Sequence, residues 1–178
     1  RHRPQRRARK PARITLADEA ATEKLGQALA AALQPGLHIY LRGPLGAGKT
    51  ALVRAVLGAL GYRGRVKSPT YTLVELYEVS RLNLYHFDFY RFRDNDEWRE
   101  AGLSEYFGGD GVCLVEWPEK AGAGLPLPDL NIVFSISSSA VSPDSSSPAP
   151  VGRDVVLTAH TAPGRHFLDR VPQCLDRV

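Results

Sequence analysis

The sequence predicts a three-layer α/β sandwich with a central, mostly parallel sheet and an antiparallel addition. Short apolar runs of strand length, such as residues 37–41 and 112–116, alternate with segments of helical periodicity, such as 18–33. Such alternation is typical of βαβ units and of a parallel sheet. Two more strand-like segments, 70–79 and 82–89, follow each other around a short turn, and they predict the antiparallel addition.

The first half of the chain predicts a helix, a strand, a loop and a second helix. Asp18 or a neighbour begins an alanine-rich helix that runs to about residue 33, where Gln34-Pro35-Gly36 ends it. The apolar run at 37–41 is typical of a buried central strand. A glycine-rich loop follows, and the second helix runs from about Gly48 to residue 60, with Gly61 expected to cap its C-terminus.

The second half begins with the strand pair, whose turn is predicted at Ser80-Arg81. The elements expected after it are a short polar helix at 95–101, a buried strand at 112–116, strands at 131–136 and 154–158 that form a hairpin, and a short C-terminal helix at 164–171. Asp94 or Asn95 is expected to cap the polar helix. Residues 137–150 are almost entirely Ser, Pro and Ala, a composition that predicts a disordered insertion in the hairpin.

We expect one domain with a tail and an insertion in a chain of 178 residues. The segments expected are a basic disordered tail at 1–13, a domain core at 14–136, a Ser/Pro-rich disordered insertion at 137–152, and a C-terminal strand and short helix at 153–178. Residues 1–13 carry seven bases and no acid, which leaves 16 bases and 19 acids in the rest. The tail could contact RNA phosphates, but a solvated extension is the simpler interpretation.

Cysteine use and hydropathy favour a cytoplasmic protein that is not embedded in a membrane. Cys113 lies in an apolar run, and neither it nor Cys174 has the spacing of a metal ligand. A buried free thiol is compatible with a reducing cytosol. No apolar run approaches the roughly 20 residues that a membrane-spanning helix needs.

The segment Gly43-Pro44-Leu45-Gly46-Ala47-Gly48-Lys49-Thr50 fits the pattern G-x-x-x-x-G-K-[ST] in full. An apolar strand precedes it and a helix follows, as this pattern requires. The glycines allow backbone N–H groups to turn toward a β-phosphate, where the helix N-terminus adds positive potential. Lys49 is expected to contact the β- and γ-phosphates, and the Thr50 hydroxyl to coordinate Mg²⁺. The motif therefore predicts a P-loop NTPase-like fold that binds ATP and Mg²⁺.

Two carboxylates are candidates to complete such a site. Glu116 ends a buried strand, where a carboxylate is costly unless it meets a cation or a hydrogen-bond donor, so we expect it to serve Mg²⁺ binding. Period-two alternation places His86 and Asp88 on one strand face and Phe87 and Phe89 on the other. Asp88 is either a catalytic group or part of a half-exposed strand, and His86 is equally compatible with a structural role.

The segment Ser68-Pro69-Thr70-Tyr71-Thr72 is a third candidate. In a strand, Thr70 and Thr72 would share one face, and hydroxyls between the loop helix and the next strand suit a γ-phosphate-sensing switch. The alternative is that Thr and Tyr simply favour strands. Spacing alone leaves both interpretations open.

Taken together, four motifs resemble the TsaE family, the bacterial P-loop ATPases needed for threonylcarbamoyladenosine modification of tRNA. In chain order they are Leu45-Gly46-Ala47-Gly48-Lys49-Thr50, Ser68-Pro69-Thr70-Tyr71-Thr72-Leu73-Val74, His86-Phe87-Asp88-Phe89-Tyr90-Arg91 and Val115-Glu116-Trp117-Pro118-Glu119. The resemblance covers about residues 14–136. It implies a small α/β P-loop fold that binds ATP or ADP, hydrolyses ATP slowly, and works with a heterodimer of TsaB and TsaD that modifies the adenosine beside the anticodon. Contact with tRNA would be indirect, through that complex.

The resemblance also implies roles for individual residues. Lys49 would bind phosphate, Thr50 and Glu116 would bind Mg²⁺, and Asp88 would be needed for hydrolysis. Further contacts would come from Thr70 and Thr72 in a switch-like segment, from Trp117 near the nucleotide, and from Asp18, Glu19 and Thr22 around the base. The chain departs from the family at Ala51, where many members carry a second Thr, so an α-phosphate contact would come from the backbone alone.

Three other functions deserve comparison. A small-molecule or nucleoside kinase would use Arg91 and Arg93 as phosphate clamps, but no acceptor pocket or arginine-bearing lid is evident in the sequence. A GTPase would carry Asn-Lys-x-Asp, which the sequence lacks. A nucleotide-gated adaptor without significant turnover would use the same nucleotide-binding residues as an ATPase, so the sequence does not separate these two.

Overall fold

A computed structural model of the chain describes residues 11–94, 96–137 and 152–175, the last three of them by backbone only. Most of the expected basic tail lies outside these ranges. So do Asn95, one of the two candidate helix caps, and nearly all of the Ser/Pro-rich segment 137–150.

Seven strands and four α-helices make up this part of the chain. The strands are β1 (Ala12–Leu16), β2 (His38–Arg42), β3 (Val74–Val79), β4 (Leu82–Asp88), β5 (Val112–Glu116), β6 (Leu130–Ile136) and β7 (Arg153–Ala159). The helices are α1 (Glu19–Ala32), α2 (Lys49–Ala59), α3 (Glu97–Glu100) and α4 (Ala162–Leu175), with 3₁₀ segments at Leu103–Phe107 and Pro118–Gly124. Asp18 caps α1, since its carboxylate accepts the N–H of Ala21 at 2.9 Å.

The strands form one sheet in the order β1-β7-β6-β2-β5-β4-β3. The four central strands, β6, β2, β5 and β4, run parallel to one another, whereas β3, β7 and β1 join antiparallel at the two sides. The predicted α/β class with a mostly parallel centre is therefore confirmed. β2 occupies the middle of the sheet, which explains why its three central residues, Ile39, Tyr40 and Leu41, are all apolar or aromatic and buried.

Helices cover both faces of the sheet, over two separate cores. On one face α1, α2 and α4 pack over apolar residues that include Ile39, Leu84 and Leu114. The other core is largely aromatic, and its members include Phe87, Phe89, Phe92, Trp98, Phe107 and Cys113. Cys113 is a buried free thiol, as expected, and burial raises its pKa to about 12.

Some boundaries differ from the sequence-based expectation. β1 was not predicted, and it begins at Ala12, inside the expected tail. β3 begins at Val74 rather than at residue 70, because residues 70–73 form a turn that the Leu73 N–H closes on the Pro69 carbonyl at 2.7 Å. The C-terminal helix is longer than the predicted 164–171. The turn at Ser80-Arg81 is confirmed, with φ values of 47° and 67° that fit a two-residue type I′ hairpin.

Gly26 of α1 faces Ala55 of α2, and it permits the close approach of the two helices. A Cβ atom at Gly26 would lie 2.5 Å from the Ala55 Cβ atom and 2.8 Å from its carbonyl carbon. We expect Gly26→Ala to lower the free energy of unfolding by about 1–3 kcal/mol through this overpacking. Gly58→Ala is the matched control, because a Cβ atom at that helical position meets nothing within 4 Å. It should be neutral or stabilise by up to ~1 kcal/mol.

Urea denaturation of the two variants measures this difference directly. Equal unfolding free energies for Gly26→Ala and Gly58→Ala would contradict the tight contact between α1 and α2.

Candidate functional site

The loop between β2 and α2 forms one wall of the candidate site. Gly48 is the N-cap of α2 in the left-handed conformation (φ 105°) and offers no side-chain cap, so the helix presents uncapped N–H groups at this end. Gly43 (φ 143°) lies against β6, where a Cβ atom would come within 2.7 Å of the Phe134 carbonyl oxygen. Only glycine therefore fits at the start of the loop.

The loop borders a cavity of about 300 Å³. Its lining contains Leu45, Gly46, Ala47, Gly48, Lys49, Thr50, Ala51, Ser68, Thr70, Asp88, Tyr90, Glu116 and Trp117. Most of the side chains singled out from the sequence thus share one cavity. The reason is topological: β4 and β5 are parallel neighbours, so their carboxyl ends meet at the same sheet edge as the loop that follows β2.

The Thr50 hydroxyl and the Glu116 carboxylate are directly hydrogen-bonded. Thr50 Oγ1 donates to Glu116 Oε1 at 2.8 Å and lies 3.0 Å from Oε2. The Glu116 side chain is nearly fully buried, and its second partner is His86, whose Nε2 lies 2.6 Å from Oε2. Alternation along β4 and β5 directs both residues to the α2 side of the sheet. Thr50, Glu116 and His86 therefore form one continuous polar chain into the protein.

Asp88 is the second carboxylate of the cavity, and donors hold both of its oxygens. Oδ2 accepts from Ser68 Oγ at 3.2 Å and from Thr70 Oγ1 at 3.3 Å, and Oδ1 accepts the Tyr90 N–H at 2.9 Å. This arrangement fixes the orientation of the carboxylate. It also links the end of β4 to the turn that precedes β3.

The Lys49 side chain is buried at the cavity wall. Its ammonium donates to the carbonyl oxygens of Gly43 and Pro44, the latter at 3.4 Å. It also lies 3.5 Å from the centroid of the Trp117 ring, a cation–π contact. Burial lowers the pKa of Lys49, and the carboxylates of Glu116, Glu119 and Asp88 oppose that shift.

Trp117 has an unusual backbone for a large residue. Its φ of 57° lies in the left-handed region, which costs about 1 kcal/mol or more for a residue with a Cβ atom. Its ring lies 5.0 Å from that of Tyr90, centroid to centroid. Strained conformations of this kind cluster at functional sites. Here the conformation accompanies the placement of an indole ring against the Lys49 ammonium.

Two of the predicted site residues lie elsewhere. Thr72 is exposed, and its hydroxyl donates to Glu75 at 3.2 Å, so Thr70 and Thr72 do not share a face as expected for a strand. Thr22 lines a neighbouring groove of about 260 Å³ between α1 and α2, which shares only Ala51 with the cavity. The groove also contains Glu19, which was expected near the base together with Thr22 and Asp18.

The family model described as threonylcarbamoyl adenosine biosynthesis protein TsaE matches residues 16–142 of the chain, more than half of its length. The chain belongs to the TsaE family.

Relatives with the name tRNA threonylcarbamoyladenosine biosynthesis protein TsaE support this assignment. The Haemophilus influenzae protein is 48% identical over 103 residues, which span 58% of this chain and 64% of that relative. The Bacillus subtilis protein is 43% identical over 113 residues, which span 64% of this chain and 70% of that relative. The crystal structure of Bacillus subtilis YdiB has a TM-score of 0.72 and 29% identity, and the match covers 92% of this chain and 95% of that one.

Sequence reasoning did not assign a role in this TsaE site to four residues. Ser68 and Tyr90 lay in motifs that were noted, but the motifs alone do not show that the Ser68 hydroxyl and the Tyr90 N–H both donate to Asp88. His86 was left open, although its period-two relation to Asp88 was the available signal. Arg153 was missed altogether: its guanidinium donates to the carbonyls of Ala47 and Gly46 at 3.1 and 3.0 Å.

The donor set fits a nucleotide phosphate with Mg²⁺. Among the described residues, no three His, Cys, Asp or Glu side chains form a metal cage. Mg²⁺ usually takes only one or two protein ligands and completes its shell with water and substrate phosphates. The adjacent oxygens of Thr50 and Glu116 meet that need. None of the helices in the described part of the chain has the length and apolar content needed to cross a bilayer.

We expect Glu116→Ala to destabilise the protein more than Glu116→Gln does. The Ala variant leaves the buried His86 ring without its 2.6 Å partner, which costs about 1–3 kcal/mol in free energy of unfolding. The Gln variant retains an oxygen that can accept a hydrogen bond at the same place. Chemical denaturation of both variants tests this expectation, and equal stability of the two would show that the buried contact with His86 contributes nothing.

Proposed function

We propose that this chain binds ATP or ADP with Mg²⁺ through the loop at residues 43–50 and hydrolyses ATP slowly, within the biosynthesis of threonylcarbamoyladenosine in tRNA. The observation that carries the proposal is the hydrogen bond between Thr50 and Glu116 at the start of α2. It pairs a loop hydroxyl with a strand-end carboxylate, as Mg²⁺ coordination beside bound phosphates requires. The pathway comes from membership of the TsaE family.

Each residue of the cavity has a definite role in this proposal. The backbone N–H groups of the loop bind the β-phosphate, and the Lys49 ammonium exchanges its carbonyl partners for phosphate oxygens. Thr50 and Glu116 would hold Mg²⁺, which would supply positive charge to neutralise the phosphates. Asp88, fixed by Ser68, Thr70 and the Tyr90 N–H, orients the attacking water and accepts its proton.

His86 supports Glu116 in this arrangement. The His86 ring is fully buried, and its Nε2 is hydrogen-bonded to Oε2 of Glu116. The ring therefore restricts the rotation of the Glu116 carboxylate. Second partners of this kind orient metal ligands in many sites. The Trp117 ring in the same way confines the Lys49 ammonium to the cavity.

The proposed partners are TsaB and TsaD, with tRNA contacted through their complex. A nucleotide-gated adaptor remains the main alternative, and the experiment below separates it from an ATPase. The kinase alternative gains no support from the geometry. Arg91 and Arg93 line a neighbouring cleft of about 810 Å³ rather than the loop cavity, and the Arg91 guanidinium stacks on the exposed Tyr71 ring at 3.7 Å.

Lys49→Ala should weaken ADP and ATP binding by about 10- to 100-fold, because a charged hydrogen bond to phosphate contributes roughly 1.5–3 kcal/mol. The matched control is Lys24→Ala, which removes an exposed lysine from α1. Titration calorimetry in the presence of Mg²⁺ measures both affinities. Unchanged affinity in a folded Lys49→Ala variant would refute the assignment of the loop.

Phosphate release from Mg²⁺–ATP, with and without TsaB and TsaD, tests the proposed activity. We expect slow release by the chain alone, and loss of release in Glu116→Gln and Asp88→Asn while the fold is retained. A kinase would instead transfer phosphate to an acceptor, and a pure adaptor would keep its ATP through repeated cycles of assembly. Either result would overturn the proposed hydrolysis.

A further inference from the structure

Arg153 connects the C-terminal hairpin to the outside of the phosphate loop. Its Nε donates to the Ala47 carbonyl at 3.1 Å, and its Nη2 donates to the Gly46 carbonyl at 3.0 Å. Nη1 also lies 3.4 Å from the carbonyl of Gly152. One planar guanidinium therefore spans two successive carbonyls of the loop, a geometry that its fixed fork of donors favours.

Holding these two carbonyls determines the direction of the next two amides. In a trans peptide unit the C=O and N–H bonds point in opposite directions. The guanidinium fixes the units that join Gly46 to Ala47 and Ala47 to Gly48. The Ala47 N–H is further held by the Pro44 carbonyl at 3.1 Å. The Gly48 N–H is accordingly directed away from Arg153.

The tip of the loop, at Leu45 and Gly46, is exposed and has few packing contacts. Gly46 and Gly48 have φ values of 73° and 105°, and glycine has the widest choice of backbone conformations. A Cβ atom at Gly46 would meet nothing within 4 Å, and Leu45 is 70% exposed. Such a segment loses considerable conformational entropy when it adopts one shape to bind phosphate.

Arg153 itself is anchored in the sheet by strands on both sides. Its backbone pairs with Leu16 of β1 on one side and with Ile136 of β6 on the other. β6 in turn is the parallel neighbour of β2, the strand that leads into the loop. The loop is therefore connected to the sheet in two ways: covalently through β2, and through the side chain of Arg153 in the β6–β7 hairpin. Arg153 lies beyond residues 16–142, which the family model matches.

We propose that Arg153 is a positioning residue for nucleotide binding: by holding the carbonyls of Gly46 and Ala47, it keeps the loop in the shape that directs the Gly48 amide to a β-phosphate. This proposal rests on the proposed function of the loop. It predicts that Arg153 affects the binding of nucleotides that carry a β-phosphate and has little effect on those that lack one.

The test compares ADP with AMP in the full chain. Arg153→Met retains most of the side-chain stem and removes all donors, and it should weaken ADP binding about tenfold or more while AMP affinity changes less than twofold. Arg153→Lys keeps the charge without the planar fork and should fall between wild type and Arg153→Met. Arg13→Ala, which removes an exposed arginine from β1, is the control and should bind as wild type does.

Amide NMR spectra without nucleotide provide an independent measurement. In Arg153→Met the signals of Gly46, Ala47 and Gly48 should shift or broaden, while those of β2 remain in place. Wild-type affinity for ADP together with unchanged loop signals in both Arg153 variants would overturn the proposal, and so would equal losses for ADP and AMP. If wild type itself binds no nucleotide, the proposed function fails, and the NMR comparison still decides whether Arg153 orders the loop.

Discussion

Glu116 brings a carboxylate to the buried end of a central strand, where two hydrogen-bond partners must compensate for its lost hydration. Thr50 of α2 satisfies it from the solvent side and His86 of β4 from the interior, at 2.8 and 2.6 Å. These contacts tie the first turn of the loop helix to two neighbouring strands. The other groups of the cavity are arranged around this fixed point.

The order of the strands in the sheet explains how a few residues from separate strands can form one site. β2 leads into the glycine-rich loop at residues 43–50, and its parallel neighbour β5 ends at Glu116 in the adjacent position. β4, on the far side of β5, ends at Asp88, which is the register partner of Glu116. A strand order that separated these three would scatter the same side chains along the sheet edge. The site is thus a property of topology as much as of its motifs.

Sequence patterns correctly predicted the features that depend on neighbouring residues, such as the alternation of side chains along a strand. Alternation in β4 separated His86 and Asp88 from Phe87 and Phe89 correctly, since a strand directs successive side chains to opposite faces. The same logic failed at Thr70 and Thr72, because strand propensity carries no information about the turn closed by Pro69 and Leu73. β1 also has alternating apolar residues, but it was not predicted because it overlaps the basic segment that was expected to be a disordered tail. Arg153 follows a low-complexity segment, and its partners in the loop, Gly46 and Ala47, lie more than 100 residues away in sequence.

The position of β7 between β6 and β1 has a consequence for the minimal folding unit of this family member. Residues 16–142, which the family model matches, contain all four of the motifs that resemble the family, yet a fragment with those limits would leave one side of β6 without its hydrogen-bonding neighbour. It would also uncover part of the core that Val155, Leu157 and Phe167 complete. Exposed strand edges of this kind promote association between chains. The segment that carries the recognisable motifs is therefore smaller than the segment that completes the sheet and its core.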